Sequence, residues 1–479
     1  MENNNFKNSG KAITIIGGGI GGLYSALNLA KNGFNVTLIE RQKNLGGLSA
    51  SIPINGYKID IGPHYMTLKK ESEITEEIIN LVGKENMIFL NDIEKSYLSY
   101  YNKKILKTVP IISDAIFSSG LKSILMSIFS LIFKPNFKSN TNETTSEQYL
   151  RKCFGNYLFE KWCKPYLLQN FGNLDLPLDY LKSRFKPITI NKILNKLLNK
   201  SNKTDEIKIK KTDNKYINCY FKYGIGYLSE ILHKKIRDLG VKIILEADII
   251  SIQHERNKKI VYKKNGNEYS VETDYIIYAT PPTITKKWFD KLNENYIDKQ
   301  HNENYNSIMV FLFVDIPKIF DGWLISIFDK TIPFFRLSQQ NFLSNDVSPR
   351  NKTLLTAEIR LDDNSELWNK NEDEIFQIVK NNLKNMNLLN HQIDGYKIIK
   401  LQNLYPRFKS NIKEINFQIE NEISKTKNEY LLGISELDTG RFASSEQLSN
   451  KDHVPSGGGI YNAISNSKRI VDMIMRNKK

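Results

Sequence analysis

Glycine residues stand at positions 17, 19 and 22, directly after a short apolar run at residues 12–16. In this spacing they allow a tight turn, let a pyrophosphate approach the backbone, and let a helix pack closely on a strand. Glu40 lies eighteen residues after Gly22 (40 minus 22), at the end of a second apolar run, where a carboxylate can bind a ribose. The order of strand, glycine turn, helix, strand and acid predicts a dinucleotide site, and the acid favours FAD or NAD over NADP.

A second glycine pair follows this unit and extends the predicted cofactor site. Gly46 and Gly47 come shortly after the second strand, where glycines can bring backbone amides close to a cofactor. The helix start offers free N–H groups and the positive end of a dipole to phosphate. The cofactor contacts predicted from these two segments are Gly17, Gly19, Ile20, Gly21, Gly22, Glu40, Arg41, Gly46, Gly47 and Leu48.

A Gly-Pro turn presents the first histidine of the chain. A strand-like run at residues 57–61 enters Gly62 and Pro63, and His64 follows. An isolated histidine is often a core or surface residue. Because His64 lies at a Gly-Pro turn just after the nucleotide-binding unit, a functional role is as well supported here as a structural one. Both interpretations stay open, and we count Gly62, Pro63 and His64 with the candidate cofactor contacts.

The composition bounds the class of protein. With 479 residues, 40% of them hydrophobic and 25% charged, the chain is typical of a soluble globular protein of two or three lobes. The net charge of +16 suits nucleic acid, an anionic membrane or an acidic substrate, but a general bias to lysine explains it as well. No basic block has interleaved aromatic residues, so we expect no nucleic-acid partner.

Three cysteines without metal-ligand spacing predict no metal site and reduced thiols in a cytoplasmic protein. The polar N-terminus has no apolar core of a signal peptide. The most apolar stretch, residues 109–133, is serine-rich and interrupted by Asp114 and Lys122, which argues against a membrane-spanning helix. We expect a helical lid over a substrate cavity, with peripheral membrane contact as the alternative.

The remaining pattern predicts two interleaved lobes. A helix at 228–239, a buried strand at 274–278 and a closing helix at 460–475 return the chain to the nucleotide-binding lobe. Strand-like runs at 308–314, 323–328, 334–337 and 354–360 predict an antiparallel sheet, and a helix follows at 373–386.

These motifs together resemble the FAD-dependent amine-oxidase superfamily, and within it the protoporphyrinogen-oxidase-like and UDP-galactopyranose-mutase-like branch. The resemblance extends over nearly the whole chain. It rests on a series of motifs that occur in the same order as in the family. They are GGGIGG at 17–22 with Glu40, LGGL at 45–48, DIGPH at 60–64, residues 165–172, 221–228 and 274–281, Phe335-Arg336 with Glu358, Tyr405-Pro406, Gly440-Arg441, and Asn450-Lys451-Asp452.

The resemblance implies an α/β fold, with a Rossmann-like FAD-binding domain of the GR2 type and a substrate domain of mixed antiparallel sheet and helices. The FAD-binding domain would comprise residues 1–100, 216–285 and 426–479. The substrate domain would comprise a helical part at 101–215 and a sheet with helices at 286–425. It also implies FAD contacts from Asp452, Ser456 and Gly457 before the last helix. A covalent flavin would need a nearby side chain such as cysteine, and there is no cysteine in the sequence near His64 or near that turn. We therefore expect FAD to be bound non-covalently.

In such a protein the flavin carries the redox chemistry, and a small-molecule substrate would donate a hydride to flavin N5. His64 is then a candidate polar or proton-relay group. Arg336, Arg407 and Arg441 are candidates to bind an anionic substrate group, because guanidinium pairs with carboxylate or phosphate in a bidentate way. Surface ion pairs are the alternative role for these arginines. Tyr405 is either a packed wall or a substrate contact.

Three functions stay open at this point. The first is an FAD-dependent oxidoreductase of the amine oxidase, protoporphyrinogen oxidase or desaturase kind. The second is a flavin-dependent nucleotide-sugar mutase with no net redox. The third is a binding protein similar to the Rab GDP-dissociation inhibitors, which reuse the fold without catalysis. The intact Gly17, Gly19, Gly22 and Glu40 argue against the third, because a protein without a cofactor has no need of them.

Overall fold

A computed structural model of the chain describes residues 10–101, 103–106, 121–135, 145–176, 178, 181–182, 185, 187, 215–255, 257–289, 304–362, 364–406, 412–432 and 459–476. Its strands are, in chain order, β1 (Ala12–Ile16), β2 (Asn35–Ile39), β3 (Ser51–Ile54), β4 (Tyr57–Asp60), β5 (Met66–Lys69), β6 (Met87–Phe89), β7 (Tyr97–Tyr101), β8 (Lys104–Leu106), β9 (Tyr216–Phe221), β10 (Lys242–Ile244), β11 (Asp248–Gln253), β12 (Lys258–Lys264), β13 (Asn267–Thr273), β14 (Tyr275–Tyr278), β15 (Asn304–Val314), β16 (Leu324–Ile327), β17 (Arg336–Gln339), β18 (Thr353–Leu361), β19 (Ile393–Pro406) and β20 (Glu429–Leu431).

The helices are α1 (Ile20–Lys31), α2 (Glu73–Val82), α3 (Leu121–Ile132), α4 (Ser146–Leu158), α5 (Lys164–Phe171), α6 (Tyr227–Asp238), α7 (Pro282–Thr285), α8 (Glu366–Asn369), α9 (Glu372–Asn385), α10 (Ile412–Ser424) and α11 (Gly459–Arg476). A π-helical turn, Phe159–Cys163, joins α4 to α5. No helix in the described ranges is both long enough and apolar enough to cross a bilayer.

A five-stranded parallel sheet in the order β10-β2-β1-β14-β20 carries the nucleotide-binding unit. Its central strand β1 pairs with β2 on one side and with β14 on the other, so that Ile15 lies opposite Leu38 and Ile277. One face of the sheet packs against α1, α6 and α11, through apolar side chains that include Leu27 and Ile464. Short apolar strands buried on both faces are what a parallel sheet requires.

The other face of this sheet is covered by the three-stranded antiparallel sheet β11-β12-β13 and by α10. A buried charge cluster fixes this layer to the edge strand β20. Glu429 is fully enclosed, and it accepts a hydrogen bond of 2.8 Å from the Tyr278 hydroxyl. His254 Nδ1 and Lys258 Nζ lie 3.0 and 3.4 Å from its carboxylate. The charge of Glu429 is therefore balanced inside the layer.

A seven-stranded sheet in the order β19-β15-β18-β17-β16-β7-β8 forms the second lobe. Its pairs are antiparallel except β16 with β7, which run parallel. Strand residues alternate between two faces. Leu355, Ala357 and Ile359 point to the face that α9 covers. Leu354 points to the opposite face, where the strand β4 of the first lobe packs through Ile59. The two lobes therefore meet on this second face of the sheet.

A helical layer adjoins the seven-stranded sheet. It is built from α3, α4, the π-helical turn and α5 around an apolar cluster that includes Phe154, Phe159 and Leu167. A capping box starts α4, with the Thr145 hydroxyl accepting from the Gln148 N–H. The layer reaches the sheet at the end of α5, where Gly172 lies against the Tyr305 ring.

The structure confirms the predicted α/β fold and most of the predicted elements. The four strand-like runs correspond to β15, β16, β17 and β18, and the predicted helix at 373–386 is α9. The strand β7 belongs to the seven-stranded sheet, although the predicted first domain extends to residue 100. The five-segment division itself stays a prediction. Of the apolar stretch at 109–133, residues 109–120 lie outside the described ranges.

Candidate functional site

The glycine turn between β1 and α1 has two positions that no larger residue can occupy. Gly17 has φ of +110°, and a Cβ there would stand 2.6 Å from the Ala279 carbonyl oxygen. A Cβ on Gly22 would stand 2.1 Å from the Gly17 carbonyl oxygen. Both separations are far below van der Waals contact. These glycines therefore allow the helix to begin directly against the strand.

Gly19 differs, because a Cβ there would have no atom of the protein within 4 Å. Gly19 is also the N-cap of α1, and it has no side chain that could accept hydrogen bonds from the first turn. The helix start thus presents backbone N–H groups and a positive dipole end toward open space. A pyrophosphate has the size, charge and acceptor groups that such a cradle suits, so the turn fits a dinucleotide.

Glu40 connects the end of β2 to the glycine turn. Its Oε2 accepts a hydrogen bond of 2.7 Å from the Gly18 N–H, and its Oε1 accepts one of 2.8 Å from the Gln42 N–H. An ionised carboxylate offers about four acceptor positions. Two of them hold the loop, and the others are available for ribose hydroxyls. Arg41 is an exposed neighbour.

The loop with the second glycine pair lies directly beside the first. The Gly46 N–H donates a hydrogen bond of 2.8 Å to the Gly18 carbonyl oxygen. A Cβ on Gly47 would stand 3.4 Å from the Gly19 Cα. Leu48 follows, and 52% of its surface is exposed. The structure therefore brings the predicted cofactor residues of both loops to one place.

Two residues of the helix start have other contacts. Ile20 is buried in the core. A Cβ on Gly21 would meet α11, with Ser467 Oγ at 3.3 Å, and the Ser467 hydroxyl donates a hydrogen bond of 2.8 Å to the Gly21 carbonyl oxygen. In both residues the backbone N–H is the group that can contact a cofactor. Their role in binding stays a prediction.

The His64 loop is held in place by its own backbone. Gly62 has φ of +91°, a conformation that favours glycine, and its N–H donates a hydrogen bond of 2.9 Å to the Asp60 carbonyl oxygen. His64 Nδ1 lies 3.1 Å from the Gly62 carbonyl oxygen. A carbonyl only accepts, so Nδ1 carries the proton and Nε2 carries the lone pair. Pro63 stiffens the turn between them.

Burial, together with the nearby positive charge of Arg336, lowers the pKa of His64 to about 4. The imidazole is therefore neutral at physiological pH. A neutral ring with Nε2 as acceptor can orient a polar group. Because the lowered pKa makes the ring a weak base, it can pass a proton on but does not retain it at neutral pH.

The buried carboxyl group of Asp60 anchors the start of this loop. It accepts hydrogen bonds from the hydroxyls of Ser51 and Tyr220 and from the Ile225 N–H. The backbone N–H of Asp60 donates a hydrogen bond of 3.0 Å to Gln340 Oε1, from the second lobe. Desolvation raises the pKa of Asp60 to about 7, although these donors oppose the shift. The network fixes the loop to both lobes.

Arg336 and Glu358 form an ion pair on the face of the seven-stranded sheet that meets the first lobe. They are partners in the register of β17 and β18. The Glu358 side chain is almost fully buried, and that of Arg336 is 24% exposed. A Cβ on Gly62 would stand 3.1 Å from Glu358 Oε1. The ion pair thus lies against the loop that carries His64.

Aromatic rings extend this face toward the helical layer. The Arg360 guanidinium lies 4.6 Å from the ring centroid of Phe335 and 5.5 Å from that of Tyr305. Tyr305 in turn contacts Gly172 at the end of α5. Sequence reasoning did not select Glu358, Arg360, Phe335 or Tyr305 as site residues. The available signal was a pair of charged residues within an otherwise apolar strand-forming run at 354–361.

The other predicted site residues have little or no description. Tyr405 lies in β19, opposite Tyr305 in β15, and its side chain is not described. The remaining predicted residues fall outside the described ranges, namely Arg407, Arg441, Asp452, Ser456 and Gly457.

Comparison with known proteins gives the family. Residues 20–395 match the family described as flavin containing amine oxidoreductase. This match extends over more than half of the chain, and it agrees with the cradle at Gly19 and with Glu40.

Among curated proteins, a carotenoid 3,4-desaturase of Haloarcula japonica is 36% identical over 77 residues, which are 16% of this chain and 15% of that protein. A 4,4'-diapophytoene desaturase of Staphylococcus aureus is 30% identical over 100 residues, 20% of this chain and 19% of that protein. The chain thus matches less than a fifth of the length of either relative.

Among solved structures, the crystal structure of a reduced UDP-galactopyranose mutase is similar with a TM-score of 0.74 and 15% identity. The match covers 97% of this chain and 96% of the mutase chain. At this identity the likeness concerns the fold alone. The family match confirms FAD as the cofactor and supports an FAD-dependent oxidoreductase rather than a binding protein without catalysis.

Proposed function

The chain belongs to the family of flavin-containing amine oxidoreductases. From that premise we propose that this FAD-dependent oxidoreductase desaturates a small lipophilic substrate, in which a carbon–carbon single bond becomes a double bond. The substrate loses one hydride and one proton from adjacent carbons, and two electrons leave with the hydride. Bound flavin supplies the hydride acceptor at N5. The electron acceptor that later reoxidises the flavin lies outside this proposal.

The observation that carries the proposal is the neutral His64 at the junction of the two lobes. Its ring is held by Gly62 so that Nε2 keeps a lone pair, and its lowered pKa keeps that lone pair available at neutral pH. The partner that takes the substrate proton must be neutral or anionic before the step. His64 meets this condition, and we assign it the role of orienting the substrate or relaying the proton.

The sheet face beside His64 supports a lipophilic substrate more than an anionic one. The charge of Arg336 is balanced by Glu358, so an anionic group would have to compete with a buried carboxylate. The rings of Phe335 and Tyr305 lie between this pair and the helical layer. The named substrates of the two desaturase relatives, which are polyenes, agree with this choice. Binding of an anionic group by Arg336 stays a prediction.

The alternative is a flavin-dependent nucleotide-sugar isomerisation without net redox. Two features favour it, namely the two guanidinium groups on the sheet face, from Arg336 and Arg360, and the similarity in fold to a UDP-galactopyranose mutase. A diphosphate needs such groups, because guanidinium binds phosphate in a bidentate way.

The test is the reduction of the bound flavin under anaerobic conditions. The purified, FAD-loaded protein is mixed with a partly saturated polyene of the phytoene class in detergent, and the visible flavin absorption is followed. We expect the absorption to bleach as a new conjugated double bond forms in the polyene. Absence of bleaching, together with conversion of UDP-galactopyranose by the chemically reduced protein alone, would replace the desaturase proposal by the mutase.

A further inference from the structure

The helix α3 exposes large apolar side chains on the outer side, where a helix packed on a protein core usually carries polar ones. Its described neighbourhood leaves six large apolar side chains exposed, with exposed fractions between 42% and 72%. They are Leu121, Leu125, Met126, Phe129, Ile132 and Phe133. Scattered exposed apolar residues are normal, but a continuous stripe along a helix marks an interaction surface. We call these six residues the α3 face.

The inner side of α3 carries three serines together with the buried Leu131. Ser123, Ser127 and Ser130 are buried. The Ser130 hydroxyl donates a hydrogen bond of 3.2 Å to the Phe154 carbonyl oxygen and accepts one of 3.0 Å from the Tyr157 N–H. These contacts set the rotation of the helix about its own axis. The α3 face is therefore held outward by the packing of the inner side.

The contact between α3 and α4 is unusually close. A Cβ on Gly155 would stand 2.0 Å from the Ser130 carbonyl oxygen. Small residues on adjoining helices allow such an approach, as they do in helices that pack within lipid. Rotating α3 to bury its large side chains would force them into this contact. The outward direction of the α3 face is thus a fixed property of the fold.

The part of the sequence that contains α3 is basic. Residues 95–142 contain seven lysines, one aspartate and no glutamate or arginine. Of these lysines, Lys103 lies in the turn between β7 and β8, Lys104 begins β8, and Lys122 lies at the start of α3. All three are exposed. Apolar side chains flanked by lysines complement an anionic bilayer, whose headgroups attract the lysines while its acyl chains receive the apolar stripe.

We propose that the α3 face docks on the surface of an anionic lipid bilayer, with α3 lying in the interfacial plane. A second copy of the chain is a poorer occupant, because it would bring the same lysines against one another. The proposal concerns contact with one leaflet, in keeping with the finding that none of the helices in the described part of the chain could span a bilayer. It does not depend on the oxidation reaction, and membrane binding can be measured without substrate.

The position of the α3 face has a consequence for substrate access. The helical layer continues from α3 through α4 to α5, and the end of α5 contacts Tyr305 on the sheet face described above. A lipophilic molecule dissolved in the bilayer would therefore meet the protein on the side that leads to the site. This step rests on the proposed desaturase function, and the docking itself does not.

The experiment measures co-sedimentation of the full FAD-loaded chain with vesicles. One set contains phosphatidylcholine alone, and the other contains phosphatidylcholine and phosphatidylglycerol at about three to one. We expect binding to the mixed vesicles that weakens with added salt, as screened charges require. The variant Leu125→Ser with Phe129→Ser should lose binding about tenfold or more. It should keep its flavin absorption.

A matched control tests the specificity of the α3 face. Leu239 and Ile250 are each 46% exposed and lie in the nucleotide-binding lobe. The variant Leu239→Ser with Ile250→Ser should bind the mixed vesicles as the wild type does. Three outcomes would overturn the proposal: a wild type that stays in the supernatant, equal losses in both variants, or a dimer in solution that the Leu125→Ser, Phe129→Ser variant converts to a monomer. The last outcome would assign the α3 face to a second copy.

Discussion

Arg336 and Glu358 face each other across β17 and β18, and their ion pair supports the loop that carries His64. The carboxylate balances the guanidinium whose charge lowers the pKa of His64. The three groups come from two lobes and form one electrostatic unit. A change in any of them should therefore alter both the stability and the pH dependence of the site.

Glu358→Gln should destabilise the protein more than a change in an exposed ion pair. The Glu358 side chain is buried and the substitution removes its ion pair with Arg336, although solvent at Arg336 reduces the effect. We expect the free energy of unfolding to fall by about 1–3 kcal/mol. Glu230→Gln breaks the exposed pair with Lys58, and should cost below about 1 kcal/mol. Urea unfolding measures both losses. Equal losses of unfolding free energy in Glu358→Gln and Glu230→Gln would contradict a supporting role for Glu358.

His64 should make stability depend on pH in the acidic range. Its pKa is about 4 in the folded protein against an ordinary 6.5, so the unfolded chain binds the extra proton between these values. The contribution of neutral His64 to the free energy of unfolding is complete above pH 6.5 and is lost as the pH falls toward 4. The wild type should therefore lose stability more steeply over this interval than His64→Gln. Parallel curves of unfolding free energy would refute the assignment.

His64→Ala also tests the proposed role in the reaction. If His64 orients the substrate or relays its proton, the rate of flavin reduction should fall by about 10²-fold or more. The flavin absorption of the resting variant should remain, since the Gly19 cradle is unchanged. Stopped-flow measurement of flavin bleaching separates this step from reoxidation. A reduction rate like that of the wild type would remove His64 from the mechanism.

Asp60 should affect stability in the opposite direction to His64. Burial raises its pKa from 3.8 to about 7, so the folded protein holds the proton longer than the unfolded chain does. The contribution of protonated Asp60 to the free energy of unfolding is fully present below pH 3.8 and is lost as the pH rises through about 7. In Asp60→Asn, which does not titrate, this decline should be absent, so the difference in unfolding free energy between the wild type and the variant should change over this pH interval. A difference that is constant from pH 4 to pH 8 would contradict a buried, protonated Asp60.

Gly19 and Gly22 provide a matched pair for the cofactor site. Gly19→Leu places its side chain in open space, so the apoprotein should fold with near wild-type stability but retain no FAD. Gly22→Leu drives a side chain against the Gly17 backbone, and should destabilise the apoprotein by several kcal/mol or prevent folding. Circular dichroism and flavin content distinguish the two results. A folded Gly19→Leu protein with full flavin absorption would disprove the position of the cradle.

The parts of the fold that local sequence dictates were predictable. The βαβ unit with Gly17, Gly22 and Glu40 has its signals within thirty residues, where glycine spacing and apolar runs act on neighbouring backbone. The same holds for β15 to β18 and α9, whose periodicity is local.

The composition of the site depends on long-range register, which no local pattern encodes. Asp60 binds Tyr220 and Gln340, which are 160 and 280 residues away in the chain. The pairing of Arg336 with Glu358 depends on how β17 aligns with β18. The sequence analysis selected the apolar stretch at 109–133 but did not predict which way its side chains point. The usual rule buries large apolar residues and exposes serines, whereas α3 buries three serines where Gly155 approaches it closely.

The strand order of the parallel sheet has a consequence for how the protein is made. The central strand β1 ends at Ile16, but its neighbour β14 starts only at Tyr275, 259 residues later (275 minus 16). At roughly 5–20 residues per second, a ribosome needs about 13–50 s to supply that partner. During this time one edge of β1 offers unsatisfied backbone groups to any extended segment. Nascent chains of this protein should therefore require chaperone protection until more than half of the chain has been synthesised.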